Sequence, residues 1–245
     1  MINMDDNPLV YEGKAKSVFR TPVAGELKVV FRDDITAFNG EKKDTLAGKG
    51  EYNARVSAFF FEYLEKNGIP THFIRMEDER TMIVRELTMI PLEVIARNVA
   101  AGSIVKKFPF TQGQRIEPPV IVTDYKCDEH GDPSINDDLI VALGFLSAED
   151  LQKVREMTLK INKILKDFFA KAGIELVDFK IEFGRSGDTI CLGDEISMDS
   201  MRLWDLATGE SLDKDVYRFG KGDVISAYGK VVEKILQENE KVGKK

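Results

Sequence analysis

The 245-residue chain has very few of the side chains that build soft-metal sites and nucleophilic triads: two cysteines, Cys127 and Cys191, and two histidines, His72 and His130. Two cysteines cannot form a disulfide framework or a four-cysteine zinc site. Two histidines leave imidazole-based catalysis poorly supplied. No uninterrupted apolar run approaches the ~20 residues needed to span a bilayer. The opening MINMDDNPLVYEGKAK has no basic start followed by an apolar stretch, so no secretory signal is expected, and the cytosol is the simplest location. Positive charge is in deficit, with 35 Lys and Arg against 42 Asp and Glu and a formal net charge of -7. That balance argues against nucleic acid or an anionic membrane as a partner, although a local cluster of cations can still bind a small phosphate ligand. Repeats and low-complexity tracts are absent. So are the P-loop string GxxxxGK[ST] and the protein-kinase strings H-R-D-x-x-x-x-N and D-F-G.

What is present suits a well-packed protein of one or two lobes: 43% apolar residues for a core and 31% charged residues for a solvated surface. Short β-like runs at 17–20, 27–31, 71–74 and 81–87 surround a helical pattern over 49–67, with Tyr52, Val56, Phe59, Phe60, Tyr63 and Leu64 on one stripe and Gly68 as its stop. A second helix is predicted over 147–172. Ser147 and Asp150 cap it, Gly173 closes it, and Leu151, Val154, Ile161, Leu165 and Phe168 face inward. A third follows Asp223, with Val224, Ala227, Val231, Ile235 and Leu236 inward and a charged tail expected to fray from Glu238. The absence of regular βαβ alternation favours an α+β fold. Residues 86–92 are the expected crossing between a smaller β-rich lobe, 1–86, and a larger α+β lobe, 87–245.

Several segments carry groups suited to phosphate chemistry. In Tyr11-Glu12-Gly13-Lys14-Ala15-Lys16, two lysines two apart would share one strand face beside a glycine that admits a polyphosphate, or else be solvated lysines of a surface hairpin. The run 177–183 alternates strictly, with Asp178, Lys180 and Glu182 on one face, and a returning strand ends at Gly193-Asp194-Glu195. If the hairpin pairs about Ser186, Asp194 joins those three, and a one-residue slip would separate it. Gathered carboxylates need a cation, so Glu182 and Asp194 suit magnesium with a nucleotide, or a metal-free cluster with Lys180. If a short helix begins at Ser103, its free amides and hydroxyl make an anion site to which Arg97 adds a bidentate contact, or else Ser103 is a simple cap. Asp199 and Arg202 fall in an expected loop, 198–204. Lys126 follows a β-like run, and Arg218 is a further isolated cation. Trp204 is expected in the core, and His130 in a turn.

Taken in order, YEGKAKSVF, FRDDITAFNGEKKD, PLEVIARNVAAGS, DDLIVALG, VDFKIEFG, GDEISMDSMRLWD and KDVYRFG resemble the successive motifs of the phosphoribosylaminoimidazole-succinocarboxamide synthase (SAICAR synthetase) family, over nearly all the chain. The lengths resemble the shorter, single-function bacterial form. The resemblance implies a two-lobed fold in the ATP-grasp and kinase-like style, with ATP between the lobes. It implies an ADP-forming ligase of purine biosynthesis that joins a carboxyaminoimidazole ribonucleotide to L-aspartate with ATP and Mg2+, as a homodimer or other small homo-oligomer. By the same resemblance Lys14 and Lys16 would contact ATP phosphates, Glu86 and Leu87 adenine, and Lys126 the ribose, while Glu182 and Asp194 would hold magnesium. Arg97, Ser103 and Arg202 would bind the ribonucleotide phosphate, Arg218 a substrate carboxylate or phosphate, and Lys180 and Asp199 would lie at the reacting groups. Activating a carboxylate by phosphoryl transfer depends on positioning and charge neutralisation and needs no Ser, Cys or His nucleophile, which fits the inventory. A regulatory nucleotide-binding module would leave Arg97, Ser103, Asp199 and Arg202 without a task.

Overall fold

The computed structural model describes residues 8–242. In chain order the elements are β1 (Leu9–Glu12), β2 (Lys16–Arg20), β3 (Glu26–Phe31), β4 (Asp34–Ala37), β5 (Lys42–Thr45), α1 (Lys49–Lys66), β6 (Phe73–Met76), β7 (Thr81–Arg85), β8 (Thr88–Val99), α2 (Ser103–Lys107), β9 (Arg115–Tyr125), α3 (Asp137–Ala142), α4 (Ala148–Lys171), β10 (Ile174–Ser186), β11 (Thr189–Gly193), β12 (Met201–Asp205), α5 (Asp215–Phe219) and α6 (Val224–Val242). The class is α+β, as the pattern predicts. One antiparallel sheet has the order β1-β2-β3-β7-β6. A second has the order β11-β10-β8-β9, with β12 also on β10, and β4 and β5 form a separate ribbon.

The sheets are joined at one seam. A parallel bridge pairs Thr71 with Leu192, and the amide of His72 donates to the Leu192 carbonyl at 2.9 Å. Residues 88–92, expected in the crossing, already belong to β8, so only Glu86 and Leu87 connect the sheets. A continuous core runs across the seam from Phe31 and Met82 to Phe179 and Phe183.

Helix α4 follows its sequence signals: the Ser147 hydroxyl accepts from the Asp150 amide at 3.1 Å, and all five predicted inward residues are buried. Helix α1 departs from them. Phe61, Ala54 and Ala58 are buried, whereas Tyr52, Phe59 and Tyr63 are only half-buried. The helix is covered by β3, β6 and β7 on one side and by α6 on another, so its buried arc is wider than one stripe. On α6, Leu236 is exposed, and Tyr228 and Val232 take the inward positions with the others predicted. Within the described residues the helix runs to Val242, with Glu238 buried and 3.3 Å from Lys241, and the last three residues of the tail expected to fray lie outside them.

Phe60 is fully buried, edge-on to Phe59 and Phe168 and tilted against Phe169. Phe60→Ala should lower unfolding free energy by about 3–5 kcal/mol through lost burial and a residual cavity, read as a lower urea midpoint at unchanged slope.

Candidate active site

The polar face of the second sheet is set by β10. Residues opposite one another in an antiparallel pair share a face. Asp178 lies opposite Arg97 of β8 and Arg202 of β12, and Glu182 lies opposite Glu93 of β8 and Gly193 of β11. Glu93 in turn faces Asp124 of β9. A row of arginines around a carboxylate and a row of carboxylates are thus separated by four residues of β10, about 13 Å at ~3.3 Å per residue, with Lys180 between them. Phe179, Ile181 and Phe183 point the other way into the core.

The arginine row depends on an irregularity. Leu176 pairs with Leu203, but beyond a bulge Asp178 pairs with Arg202 instead of Met201. Without that extra residue Arg202 would face away from Asp178, since bulges re-aim side chains. The segment from 201, expected as loop, is therefore strand β12, and Trp204 on it is partly buried against Val99, Ala101 and Val177. Arg97 donates to Asp178 at 2.7 Å and to the Ser103 hydroxyl at 3.1 Å, while its Nε is buried without a partner among the described residues. Arg202 binds Asp178 at 2.9 Å and Asp215 at 2.9 Å, and Asp215 accepts from Arg218 at 2.5 Å. Three guanidinium groups thus share two carboxylates, and the charges of Asp124 and Asp213 also act on Arg97 and Arg202. Burial pushes Asp178 up, against the pull of Arg202 and Arg97. The cap of α2 is Gly102 and not Ser103. A Cβ at Gly102 would come within 2.5 Å of Arg202 Nη2, and its φ of 65° is one that favours glycine.

At the carboxylate row, Lys126 binds both oxygens of Glu182 at 2.6 and 2.7 Å, and Lys16 binds Asp194 at 2.6 Å and Glu195 at 3.2 Å. Lys180 pairs with Glu93. The anticipated pairing about Ser186 is not found: Ser186 pairs with Thr189 around a two-residue turn, a register three residues away, which sets odd-numbered residues of β11 against even-numbered ones of β10 and places Gly193 opposite Glu182. Asp194 still reaches its neighbours, because it lies just past β11 with a φ of 57°, which re-aims the side chain. Burial, with Asp194 close by, raises Glu182 to about 7. Burial alone would raise Asp194 too, but Lys16, Lys126 and Lys180 outweigh it and hold that group at about 2. No group of three or more His, Cys, Asp or Glu side chains forms a metal cage among the described residues. The pair Glu182 and Asp194 matches the one or two carboxylates by which magnesium is held when phosphates complete its shell.

Lys14 and Lys16 are not brought together. Lys14 sits in the β1–β2 turn, exposed, 3.3 Å from Asp128, whereas Lys16 is on β2 and points inward. The amide of Glu86 is engaged by the Gly25 carbonyl and its carboxylate by Arg20 at 2.6 Å. The Glu86 carbonyl and Leu87 amide have no backbone partner among the described residues. Leu87 packs so closely on Gly184 that a Cβ there would be 2.8 Å from it. His72, behind this hairpin, is pushed down to about 4 by burial, so the neutral ring donates from Nδ1 to the Leu192 carbonyl, 3.2 Å away. His130 closes a single turn, Asp128–His130.

Asp199 lies in the loop between β11 and β12. One oxygen accepts from Lys49 at 2.7 Å and the other from the Tyr228 hydroxyl at 2.6 Å, and Lys49 and Tyr228 are both fully buried. Burial would raise Asp199, but Lys214 and Lys49 hold it well below the usual carboxylate range. Burial pushes Lys214 below the ordinary lysine range against the pull of Asp199, and it has no ion-pair partner among the described residues. Lys49, Glu93, Glu195, Lys214 and Tyr228 escaped the sequence reading. The signal for Lys49 was a polar stripe, Lys49, Asn53 and Ser57, through an apolar helix. For Glu93 it was a charge at an alternating position of a strand.

An arginine row, a carboxylate pair ringed by lysines and a lysine between them are the residue types that enzymes of phosphoryl transfer use. The SAICAR synthetase profile matches residues 9–235, and the chain belongs to that family. A phosphoribosylaminoimidazole-succinocarboxamide synthase from Methanoregula boonei is 63% identical over 96% of this chain and 91% of its own length. The structure of the Ehrlichia chaffeensis synthase is 41% identical with a TM-score of 0.91, covering 93% of this chain and 98% of that one. A SAICAR synthetase solved with ADP is 48% identical with a TM-score of 0.90, covering 93% and 97%. Relatives at 60% identity and above, from Methanoregula boonei and Methanoculleus marisnigri, are archaeal, so the expected bacterial form is not supported.

Asp199→Ala would leave the Lys49 ammonium buried without its counter-charge and should lower stability by about 3–5 kcal/mol. Because the folded-state acid is held low, its contribution is present above the ordinary 3.8 and is lost as pH falls through the depressed value. The difference between wild type and variant in urea midpoint should therefore narrow steadily below about pH 4.

Proposed function

We propose that this chain joins a carboxyaminoimidazole ribonucleotide to L-aspartate with ATP, releasing ADP and phosphate, in purine biosynthesis. The observation that carries this reading is the single polar face of the sheet, with anion-binding arginines at one end, nucleotide-type carboxylates and lysines at the other, and Lys180 between them. Arg97, Ser103, Arg202 and Arg218 take the ribonucleotide phosphate, the guanidinium groups and the hydroxyl donating to its oxygens. ATP lies between the smaller lobe, 1–86, and the larger, 87–245. The Glu86 carbonyl and Leu87 amide meet adenine, Lys126 meets the ribose, and Lys16, the inward one of the two lysines, meets the phosphates. Glu182 and Asp194 would hold Mg2+, which when bound neutralises phosphate charge. The relative solved in complex with ADP supports ATP use by this chain.

The ribonucleotide carboxylate oxygen attacks the γ-phosphorus and ADP leaves. The neutral aspartate amine then attacks the activated carbon, and the departing phosphate takes the proton that the amine gives up. Lys180 stabilises the charge that develops on the reacting carboxyl oxygens. Asp199 positions Lys49, and Lys214 is available to a carboxylate of the amino acid. A small homo-oligomer in the cytosol belongs to the same reading, and no helix among the described residues is long and apolar enough to cross a membrane.

ADP release should require both organic substrates and match product one for one in an assay omitting each component in turn. Turnover indifferent to aspartate would point instead to a kinase. Lys180→Met should cut kcat by roughly 100- to 1,000-fold. Arg97→Ala should raise the ribonucleotide KM by roughly 10- to 100-fold, as expected for a lost charge-assisted contact, in initial-rate measurements.

A further inference from the structure

The β4–β5 ribbon pairs with neither large sheet. Strand β4 is anchored by buried Ile35 and Ala37, and β5, whose Asp44 and Lys42 lie opposite those two residues, reaches across the molecule to α5, more than 170 residues away in sequence. Lys42 Nζ donates to the Tyr217 carbonyl at 2.7 Å and lies 4.1 Å from the centre of the Tyr217 ring. The Tyr217 hydroxyl donates to Asp44 at 2.8 Å, and the rings of Phe38 and Phe219 meet edge-on at 6.5 Å. Phe38 holds a φ of 53°, a conformation costly for an aromatic residue.

Helix α5 is a single five-residue turn, too short to be ordered by its own hydrogen bonds. Its direction is set by what grips it, and it carries Asp215 and Arg218, which link to Arg202. We propose that Lys42 and Asp44 are positioning residues for the ribonucleotide. They hold Tyr217 from both ends and so fix the turn that presents Arg218 to the phosphate. This rests on the phosphate-binding role given above to Arg218. Lys42 is only half-buried and Asp44 exposed, whereas Ile35 and Ala37 are in the core. The burial that holds the ribbon thus comes from β4, and the grip on α5 from the less buried β5.

The test is a set of initial-rate measurements on Lys42→Ala, Lys42→Arg, Asp44→Asn, Arg218→Ala and the Lys42→Ala/Arg218→Ala double variant, with KM determined separately for the ribonucleotide, ATP and aspartate. Lys42→Ala is expected to raise the ribonucleotide KM about tenfold while the other two KM values stay within twofold, and Lys42→Arg to recover most of the loss. With Arg218 already removed, Lys42→Ala should add less than twofold, because the two act through one contact. Asp44→Asn keeps side-chain size and should give a milder rise of about threefold, deciding the matter if Lys42→Ala folds poorly. Equal changes in all three KM values, or full multiplication of the Lys42 and Arg218 effects, would overturn the proposal. An Arg218→Ala effect with no effect of Lys42→Ala or Asp44→Asn would overturn the grip alone. An unchanged ribonucleotide KM in Arg218→Ala would overturn the phosphate reading and the grip with it.

Discussion

The register of β10 against its neighbours is the constraint on which the site depends. One strand lies between β8 on one side and β12 and β11 on the other, and its even-numbered residues from Asp178 to Glu182 all face the same way. Because strand side chains alternate with a period of two, a slip of one residue would send every one of these charges into the core. The apolar alternates Phe179, Ile181 and Phe183 prevent that slip, since moving them to the polar face would forfeit their burial. The core therefore orients the site.

Charge is the second organising element. Asp178 between two arginines and Asp199 between Lys49 and Tyr228 are buried ions, each with partners on other elements. Such groups are tolerable only when their hydrogen bonds are met. Each therefore locks together segments distant in sequence: α1, α6 and the loop at Asp199, and β8, β10 and β12 at Asp178.

The alternation of 177–183 exposed the face that would carry Asp178, Lys180 and Glu182, and capping signals located α4. Other features were not legible because they arise from pairing between distant segments. The bulge that turns Arg202 toward Asp178 exists only once β12 lies on β10. The position of Asp194 combines a hairpin register with a left-handed backbone that no local rule demanded of an aspartate. Lys14 and Lys16 looked like equivalent partners until the turn placed one outside and one inside.

By itself the sequence determined the class of fold, the helices with clear caps, the family through its ordered motifs, and the residue types that suit phosphate chemistry, because periodicity, capping and motif order are local properties of a chain. Which of those residues meet was decided by tertiary structure. Lys49 facing Asp199, Glu93 facing Glu182, and the β4–β5 ribbon gripping α5 depend on strand registers, a bulge and helix packing, which bring together residues tens to hundreds of positions apart.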